Sequence, residues 1–303
     1  MLVCMKEIMQ RASTGNYAVV APNVCCELDA RAAIEAAEEA RTPIVLNVHF
    51  DSNPDLIFFG SYLTRLCEKA NVPIAINLDH GSTFEQVIIA IRAGFTSVMI
   101  DRSSLAYEEN VVQVSELVKI AHAVGVSVEA ELGYMGFGEL EVNQQTMTDP
   151  DMAADFIERT GCDCLAIAIG TAHGAYTKTP YIDFERLRAI KAHTHGFPLV
   201  LHGGSGTGEE NLKKACTMGI NKVNIYNDLM RGACDNILSC NLSGNGAYQL
   251  WSKLKQGYKA ALSSAIVICG AANHAWNVQS AGIGTFQEKV HPLVAIELQK
   301  TNL

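Results

Sequence analysis

The stretch Val72-Pro73-Ile74-Ala75-Ile76-Asn77-Leu78-Asp79 is a short apolar run rich in β-branched residues, and His80-Gly81 follows it directly. Next comes Ser82-Thr83-Phe84-Glu85, where a hydroxyl can cap a helix and a carboxylate favours the positive end of its dipole. The same order of apolar strand, loop and helical periodicity occurs eight times along the chain. Strands that alternate with helices in this way are parallel, so the pattern predicts an α/β fold of the (β/α)8 type, the TIM barrel.

The repeated pattern covers most of the chain. Glycines close several helices just before the next strand, and we find no linker that would divide the chain. We therefore predict a single catalytic barrel domain over residues 1–303, with a divergent C-terminal segment from about residue 265 and closing helices at Leu229–Ser239 and Tyr248–Ser264. The candidate strands are Tyr17–Val24, Pro43–Phe50, Val72–Asp79, Ser97–Asp101, Ser127–Leu132, Cys164–Gly170, Pro198–Leu201 and Lys222–Tyr226.

Composition limits the partners. The 303 residues are 49% hydrophobic and carry a net charge of −9, which argues against a nucleic-acid backbone or an anionic membrane surface. The apolar runs are far shorter than the ~20 residues of a membrane helix. Ten cysteines are scattered through apolar segments, and we recognise no secretory signal. We expect reduced thiols and a cytoplasmic protein.

Polar side chains lie at or just after the ends of the predicted strands, and a barrel gathers these ends on one face. Besides His49 on strand two, three histidines lie at the ends of strands three, six and seven. Three protein ligands and an open position are what catalytic zinc needs, although three histidines suit cobalt or iron as well. The residues at the strand ends are Asn23, His49, Asp79, His80, Asp101, Glu129, Glu131, His173, His202 and Asn224.

Two glycine-rich turns, Gly170–Gly174 and His202–Gly206, follow the sixth and seventh predicted strands. Glycine lets backbone N–H groups approach an oxyanion closely, so we expect a phosphate here. Cleavage of a carbon–carbon bond beside a carbonyl needs an electron sink, either a lysine Schiff base or a metal. We find no lysine inside or at the exit of strands three to seven, and Lys222 is predicted to start strand eight. The metal is then the available sink.

Four motifs in this order resemble the class II, metal-dependent ketose-bisphosphate aldolases, and the similarity runs from about Met5 to Arg231. The resemblance implies reversible cleavage of a ketose 1-phosphate or 1,6-bisphosphate, of fructose or tagatose type, to dihydroxyacetone phosphate and an aldehyde such as glyceraldehyde 3-phosphate. Glycolysis is the corresponding area of carbohydrate metabolism. Thr177–Pro180 is most similar to the tagatose-bisphosphate branch. The motifs are Asn77–Gly81, Val128–Gly133, Gly170–Gly174 and Leu201–Gly206.

The resemblance also implies roles for individual residues. Zn²⁺ bound by His80, His173 and His202 would polarise the ketose carbonyl and stabilise the enediolate. Asp79 would move the proton of the C4 hydroxyl, and Glu139, in a mobile loop, the proton of the enediolate carbon.

Further positions match other parts of the family's site. Asp101 and Glu131 match carboxylates that bind a second metal in some members. The phosphate and substrate segments, where Na⁺ or K⁺ is often also held, correspond to Gly174, Gly203, Gly204, Ser205, Asn224, Ile225, Tyr226 and Asn227. Asn23 and His49 are further candidates for binding the substrate or its phosphate. Related aldolases are dimers or tetramers, so we expect a homodimer or homotetramer.

The substrate shell departs from the family pattern while the metal residues match it. Together these changes predict a substrate other than ordinary fructose 1,6-bisphosphate; neutral drift is the alternative. The family's basic residue for the distal phosphate has no clear counterpart among Arg231, Lys253, Lys255 and Lys259, so the aldehyde half stays unassigned. The unusual positions are Pro22-Asn23, His49, Ser103-Ser104, Gly136-Phe137, Tyr226 and Asn227.

Two other functions fit the same residues. A metal-dependent sugar-phosphate isomerase or epimerase would use the same enediolate, but it would not release a triose phosphate. A non-catalytic sugar-phosphate sensor on this scaffold would have no need of the proton-transfer residues Asp79 and Glu139.

Overall fold

The computed structural model describes residues 1–133, 147–174 and 176–277. The described residues contain eight parallel strands that alternate with helices. The strands are β1 (Val19–Pro22), β2 (Ile44–His49), β3 (Ile74–Gly81), β4 (Ser97–Ile100), β5 (Ser127–Leu132), β6 (Cys164–Ile167), β7 (Leu199–Leu201) and β8 (Ile220–Ile225).

Ten α-helices surround or follow these strands in the described part of the chain, together with short 3-10 helices at Phe50–Ser52 and Gly244–Gln249. The α-helices are α1 (Met5–Gly15), α2 (Glu27–Ala40), α3 (Leu56–Lys69), α4 (Phe84–Arg92), α5 (Tyr107–Ala123), α6 (Pro150–Thr160), α7 (Phe184–His193), α8 (Glu209–Thr217), α9 (Asn227–Leu238) and α10 (Leu250–Ile268).

The strands form one sheet in the order β1-β8-β7-β6-β5-β4-β3-β2. The sheet closes on itself where Asn23, just after β1, bridges Asn47 of β2 and the Val24 N–H donates to the Asn47 carbonyl at 2.8 Å. The predicted (β/α)8 barrel is therefore confirmed, and all C-terminal strand ends lie on one face.

Local sequence explains where several elements begin and end. Thr83 caps α4 by accepting from the Gln86 N–H at 3.2 Å, as the hydroxyl at that position predicts. Asp149 caps α6, with Pro150 in its first turn, and Gly161 ends it at φ +70°.

The first helix is an element that the strand and helix pattern does not predict. Helix α1 lies across the N-terminal end of the barrel, because Lys6 contacts the start of β5 and the residue just before β6. Its residues Met5, Ile8 and Met9 are fully buried. Apolar burial by α1 thus closes the barrel on the side opposite the predicted site.

The start of β8 corrects one prediction. Strand β8 begins at Ile220, so Lys222 is its third residue rather than its first, and the Lys222 side chain is completely buried. A lysine does lie inside the barrel, close to the end that carries the site.

Two further expectations concern the whole chain. None of the described helices is long and apolar enough to cross a membrane. All ten cysteines fall in the described residues, and each is a free thiol.

Candidate active site

A cavity of about 1000 Å³ opens at the C-terminal ends of the strands. Most of the predicted site residues reach it. Four predicted residues do not line it. His202 and Glu131 are buried, at 0% and 2% exposure, while Gly204 lies in the turn after β7 and Ile225 ends β8. Glu139 and the Gly136-Phe137 pair lie outside the described residues. The predicted residues that line the cavity are Asn23, His49, Asp79, His80, Asp101, His173, Gly174, Gly203, Ser205, Asn224, Tyr226 and Asn227.

The three histidines come together although they belong to distant segments. The ring of His80 lies 4.7 Å from that of His173 and 4.6 Å from that of His202, between centroids. Each offers one ring nitrogen to a group that also includes a carboxylate oxygen of Glu131, and these four atoms lie within 4.8 Å of one another. Such a group has the donor types and proximity of a zinc site.

Carboxylates form hydrogen bonds with two of these rings. Nδ1 of His80 is hydrogen-bonded to Asp101 at 3.0 Å, and Nε2 of His202 to Glu129 at 2.9 Å. In each ring the opposite nitrogen therefore faces the group. Metal-bound histidines are usually oriented by such a second hydrogen bond.

The backbone at His80 is unusual and helps to aim its ring. His80 has φ +48°, a left-handed conformation that a residue with a Cβ rarely adopts. The pairing of β3 with β4 shifts register between Leu78 and Gly81. The left-handed residue and the register shift thus coincide at the end of β3, and backbone strain of this kind is typical of functional sites.

Lys222 and Glu129 form a fully buried ion pair under the histidines. Nζ of Lys222 donates to Glu129 at 2.7 and 3.0 Å and to the Asn224 side chain at 2.7 Å. Burial alone would raise the pKa of Glu129, but Lys222 and His202 hold it below its usual value. Sequence reasoning noted Glu129 without a role and placed Lys222 at the strand start. The signal was the alternation Lys222-x-Asn224, which puts both side chains on one face of β8.

Asp79 is almost completely buried beside the histidines. Its carboxylate accepts hydrogen bonds from Asn23 at 2.8 Å and from Asn224 at 3.1 Å. Burial would raise the pKa of Asp79, but the positive charges of His80, His202 and Lys222 and the Asn23 hydrogen bond lower it to about 2. Asp79 is therefore ionised at neutral pH and can accept a proton.

His173 has the opposite electrostatic setting. Burial, with His202 and His80 as positive neighbours, lowers the pKa of His173 to about 3. Its imidazole is neutral at pH 7, the form in which histidine binds a metal.

The predicted phosphate turn is fixed to the end of β8. The Ser205 hydroxyl accepts from the N–H groups of Tyr226 and Asp228 at 3.1 and 3.2 Å. Gly203 has φ +63°, and a Cβ there would lie 2.2 Å from the Ala172 carbonyl oxygen. Only glycine fits this position. Helix α9 begins at Asn227, so its positive end lies beside the turn.

His49 and Tyr226, two residues that depart from the family pattern, both line the cavity. Nδ1 of His49 accepts from the Asp51 N–H at 3.4 Å and so caps the short 3-10 helix after β2. Tyr226 is 44% exposed at the end of β8.

A parallel barrel with three histidines and a carboxylate converging at its C-terminal face defines the class of barrel enzymes with a metal-binding active site. The family model "Fructose-bisphosphate aldolase class-II" matches residues 3–274. The chain therefore belongs to the class II fructose-bisphosphate aldolase family.

Individual relatives agree with this assignment. The fructose-bisphosphate aldolase of Geobacillus stearothermophilus is 43% identical over 234 residues, which cover 74% of this chain and 80% of the relative. The uncharacterized protein YdjI of Escherichia coli K12 is 38% identical over 227 residues, or 73% of this chain and 81% of the relative.

The crystal structure of the YdjI aldolase from Escherichia coli K12 superimposes with a TM-score of 0.82 at 33% identity. It covers 91% of this chain and all of the other chain. A putative fructose-1,6-bisphosphate aldolase from Coccidioides immitis gives a TM-score of 0.78 at 28% identity, covering 88% and 96%.

The protein is accordingly an aldolase, a lyase that reversibly cleaves a phosphorylated ketose. This confirms the predicted family, fold and reaction type. The comparisons do not favour the isomerase, epimerase or sensor alternatives.

Proposed function

We propose that this chain cleaves a ketose phosphorylated at C1 to dihydroxyacetone phosphate and an aldehyde, with Zn²⁺ bound by His80, His173 and His202. The observation that carries the proposal is a set of buried ligand atoms without hydrogen bonds. Nε2 of His80, Nδ1 of His202 and Oε2 of Glu131 are such atoms, although the last two lie 3.1 Å apart. Unsatisfied buried polar atoms are costly, and a bound cation would satisfy all three.

The donor set also fits zinc chemically. Imidazole nitrogens with one carboxylate are typical zinc ligands, and carboxylates behind two of the imidazoles raise their basicity. Bound there, the metal would supply a Lewis acid that polarises the ketose carbonyl.

The protein's own residues carry the proton transfers in this proposal. In cleavage, Asp79 takes the proton of the C4 hydroxyl while the C3–C4 bond breaks. The electron pair of the C3–C4 bond stays on C3. The C4 oxygen becomes the aldehyde carbonyl. A proton returned to C3, which the family resemblance assigns to Glu139, completes dihydroxyacetone phosphate. The hydrogen bonds from Asn23 and Asn224 keep the Asp79 carboxylate oriented for this step.

The C1 phosphate is assigned to the turn after β7 and the end of β8. Backbone N–H groups of the turn and the positive end of α9 favour an anion there. We assign Gly174, Gly203, Gly204 and Ser205 to the phosphate, and Asn224–Asn227 to the phosphate and the adjoining carbons. Asn23 and His49 are assigned to the rim that contacts the sugar.

Other parts of the proposal rest on the resemblance. Asp101 and Glu131 are the candidates for a second metal position, and Na⁺ or K⁺ for a monovalent site near the phosphate. Asp101 already accepts from the Ser103 N–H and hydroxyl and contacts His80, so orienting His80 is its better-supported role. Residues 1–303 would form one catalytic domain that assembles as a homodimer or homotetramer.

The decisive experiment measures dihydroxyacetone phosphate release with a coupled assay over ketose 1-phosphates and 1,6-bisphosphates. We expect activity that is lost with a chelator and returns with Zn²⁺. No release from any ketose, with zinc bound stoichiometrically, would contradict the proposal.

Asp79→Asn separates proton transfer from metal binding. We expect kcat to fall about 100-fold or more, because a positioned acid or base usually contributes at least this factor to the rate. Zinc affinity should change little. Asp235→Asn, an exposed aspartate on α9, is the matched control and should retain activity.

A further inference from the structure

An arginine side chain lines the active-site cavity. Among the described residues that line it, Arg102 is the one arginine or lysine. It directly follows Asp101, at the loop after β4. The basic residues considered from the C-terminal helices do not line the cavity. Arg231 pairs with Asp235, and Lys255 and Lys259 pair with glutamates of α2.

Neutral acceptors hold Arg102 in place. Its Nη1 donates to the carbonyls of Ser82 at 3.0 Å and Asp101 at 2.8 Å, and its Nε donates to the Gln113 side chain. Nη2 has no hydrogen-bond partner, and no carboxylate lies within ion-pair distance, among the described residues. Arg186 is the other half-buried arginine among the described residues. It lies outside the cavity and forms an ion pair with Asp183 at 3.3 Å. Arg102 is thus a fixed cation whose charge is not neutralised by a neighbour.

The barrel places Arg102 opposite the phosphate turn. Strand β4 is four strands from β8 in either direction around the closed sheet. A ketose whose C1 phosphate lies at the β7 and β8 turns, and whose carbonyl lies at the histidines, therefore directs its far end toward β2, β3 and β4. The same side of the cavity is lined by serines, which offer small hydrogen-bonding groups: Ser52, Ser82, Ser103 and Ser104.

Besides Asp79, two carboxylates lie on this side of the cavity. Asp101 is hydrogen-bonded to His80 and Ser103, so its charge is already compensated. Asp51 belongs to the short helix after β2 and makes no ion pair among the described residues. Neither pairs with Arg102.

We propose that Arg102 binds an anionic group, phosphate or carboxylate, at the end of the aldehyde half of the substrate. A guanidinium with a free N–H edge, in a cavity that is also lined by serines, suits either oxyanion. The inference rests on the proposed function for the orientation of the substrate, and it names the specificity residue that the C-terminal helices do not supply.

Non-cleavable hexitols test this without requiring turnover. Calorimetry compares hexitol 1-phosphate, hexitol 1,6-bisphosphate and the 1-phosphate with a C6 carboxylate, on the zinc-loaded wild-type protein and on variants. We expect at least one C6-anionic probe to bind about tenfold or more tightly than the neutral-ended one. The probe that gains affinity identifies phosphate or carboxylate.

The variants assign that preference to Arg102. Arg102→Gln should reduce the ratio of affinities to within about threefold of unity, and Arg102→Lys should retain part of it. Arg92→Gln, an exposed arginine at the end of α4, is the control and should leave the ratio unchanged. The readout is the ratio of affinities for the anionic and neutral probes. A general structural disturbance in Arg102→Gln would weaken the binding of both probes and leave their ratio unchanged.

Two results would overturn the inference: a wild-type ratio near one for both anionic probes, or a preference that survives in Arg102→Gln. Failure of the proposed function is seen separately, as an absence of dihydroxyacetone phosphate release from every ketose, whatever the binding ratios are.

Discussion

The smallest scale of organisation in this site is the pairing of each reactive side chain with a buried partner. Glu129 orients His202, Lys222 neutralises Glu129, and Lys222 also holds Asn224, which donates to Asp79. A single lysine thus connects a proposed zinc ligand with the proposed proton acceptor. A buried ion pair adds little to stability by itself, but it is costly to break from one side.

Lys222→Met should show this asymmetry. The variant leaves the Glu129 carboxylate buried without its cation, so we expect a loss of roughly 3–5 kcal/mol in the free energy of unfolding. Zinc affinity should fall about 10–100-fold because Glu129, which orients His202, is no longer held in place by Lys222. Denaturant unfolding and competition with a chelator measure the two effects.

Two further variants make the test specific. Lys222→Met combined with Glu129→Gln removes both charges and should recover much of the stability but not the zinc affinity. Lys259→Met breaks a partly exposed ion pair between α10 and Glu39 of α2, and it should cost under about 1 kcal/mol. If Lys222→Met were as stable as Lys259→Met, the buried pair would not have the role assigned to it.

Residues of this site differ in how far sequence predicts them. Asp79, His80 and His202 end or directly follow apolar runs, so the barrel alone brings them to one face. His173 lies further along, in the glycine turn after β6. Lys222 was missed because the β8 boundary was placed two residues late, and strand ends are weakly marked in sequence. Arg102 lies in a loop, where the strand pattern does not specify side-chain direction.

At the scale of elements, the pair α9 and α10 packs with almost no space between the helices. Gly232 and Gly257 meet at their crossing, where a Cβ on Gly257 would lie 2.3 Å from the Gly232 carbonyl oxygen. This pair also supports the site, because Tyr258 of α10 donates to the Asn23 carbonyl at 2.8 Å and Asn23 donates to Asp79.

Gly257→Ala should therefore destabilise the protein although alanine favours helices by about 1 kcal/mol over glycine. The helices must move apart, and overpacking of this kind costs roughly 1–3 kcal/mol. We expect a lower Tm and a reduced kcat, since the Tyr258 contact to Asn23 shifts with α10. Calorimetry and the dihydroxyacetone phosphate assay measure these changes.

Ser264→Ala, on the exposed side of the same helix, is the control. It should leave both Tm and kcat close to the wild-type values. An unchanged or raised Tm in Gly257→Ala would mean that the helix crossing tolerates a Cβ.

Elements were predicted well where periodicity and caps agree, as for β5 and α4. Strand β3 was predicted to end at Asp79 but continues to Gly81. The reason is the left-handed backbone at His80, which pattern reasoning does not anticipate for a residue with a Cβ. Helix α1 was missed because it precedes the first strand and is not part of the alternation of strands and helices.

At the scale of the whole molecule, a half-buried lysine connects helix α1 with helix α7 and strand β8. Lys191 of α7 donates to the Phe197 carbonyl and the Asn221 side chain at 2.9 and 2.8 Å, and to Ser13 of α1 at 3.2 Å. Burial lowers the pKa of Lys191 to about 8, below the 10.5 usual for a lysine.

This lowered pKa predicts a pH dependence of stability. Between about pH 8 and 10.5 the unfolded chain binds the Lys191 proton more tightly than the folded one, so this residue's contribution to stability rises with pH. The difference in unfolding free energy between the wild-type protein and Lys191→Met should grow in that window and be flat below pH 7. Urea unfolding at pH 7 and 9.5 tests it; equal differences at both pH values would contradict the burial effect.

The end of the α9–α10 hairpin offers the surface for the proposed self-association. Tyr248 and Trp251 are 88% and 66% exposed there, and Leu238 at the end of α9 is 82% exposed. Clustered large apolar groups on a surface usually mark an interface.

We expect a dimer or tetramer by light scattering, and dissociation to smaller species in the double variant Tyr248→Lys and Trp251→Lys, because two buried charges would oppose association. Phe58→Lys, at a 71% exposed position on α3, should keep the wild-type mass. A wild-type monomer, or a double variant that retains the wild-type mass, would exclude this surface as the interface.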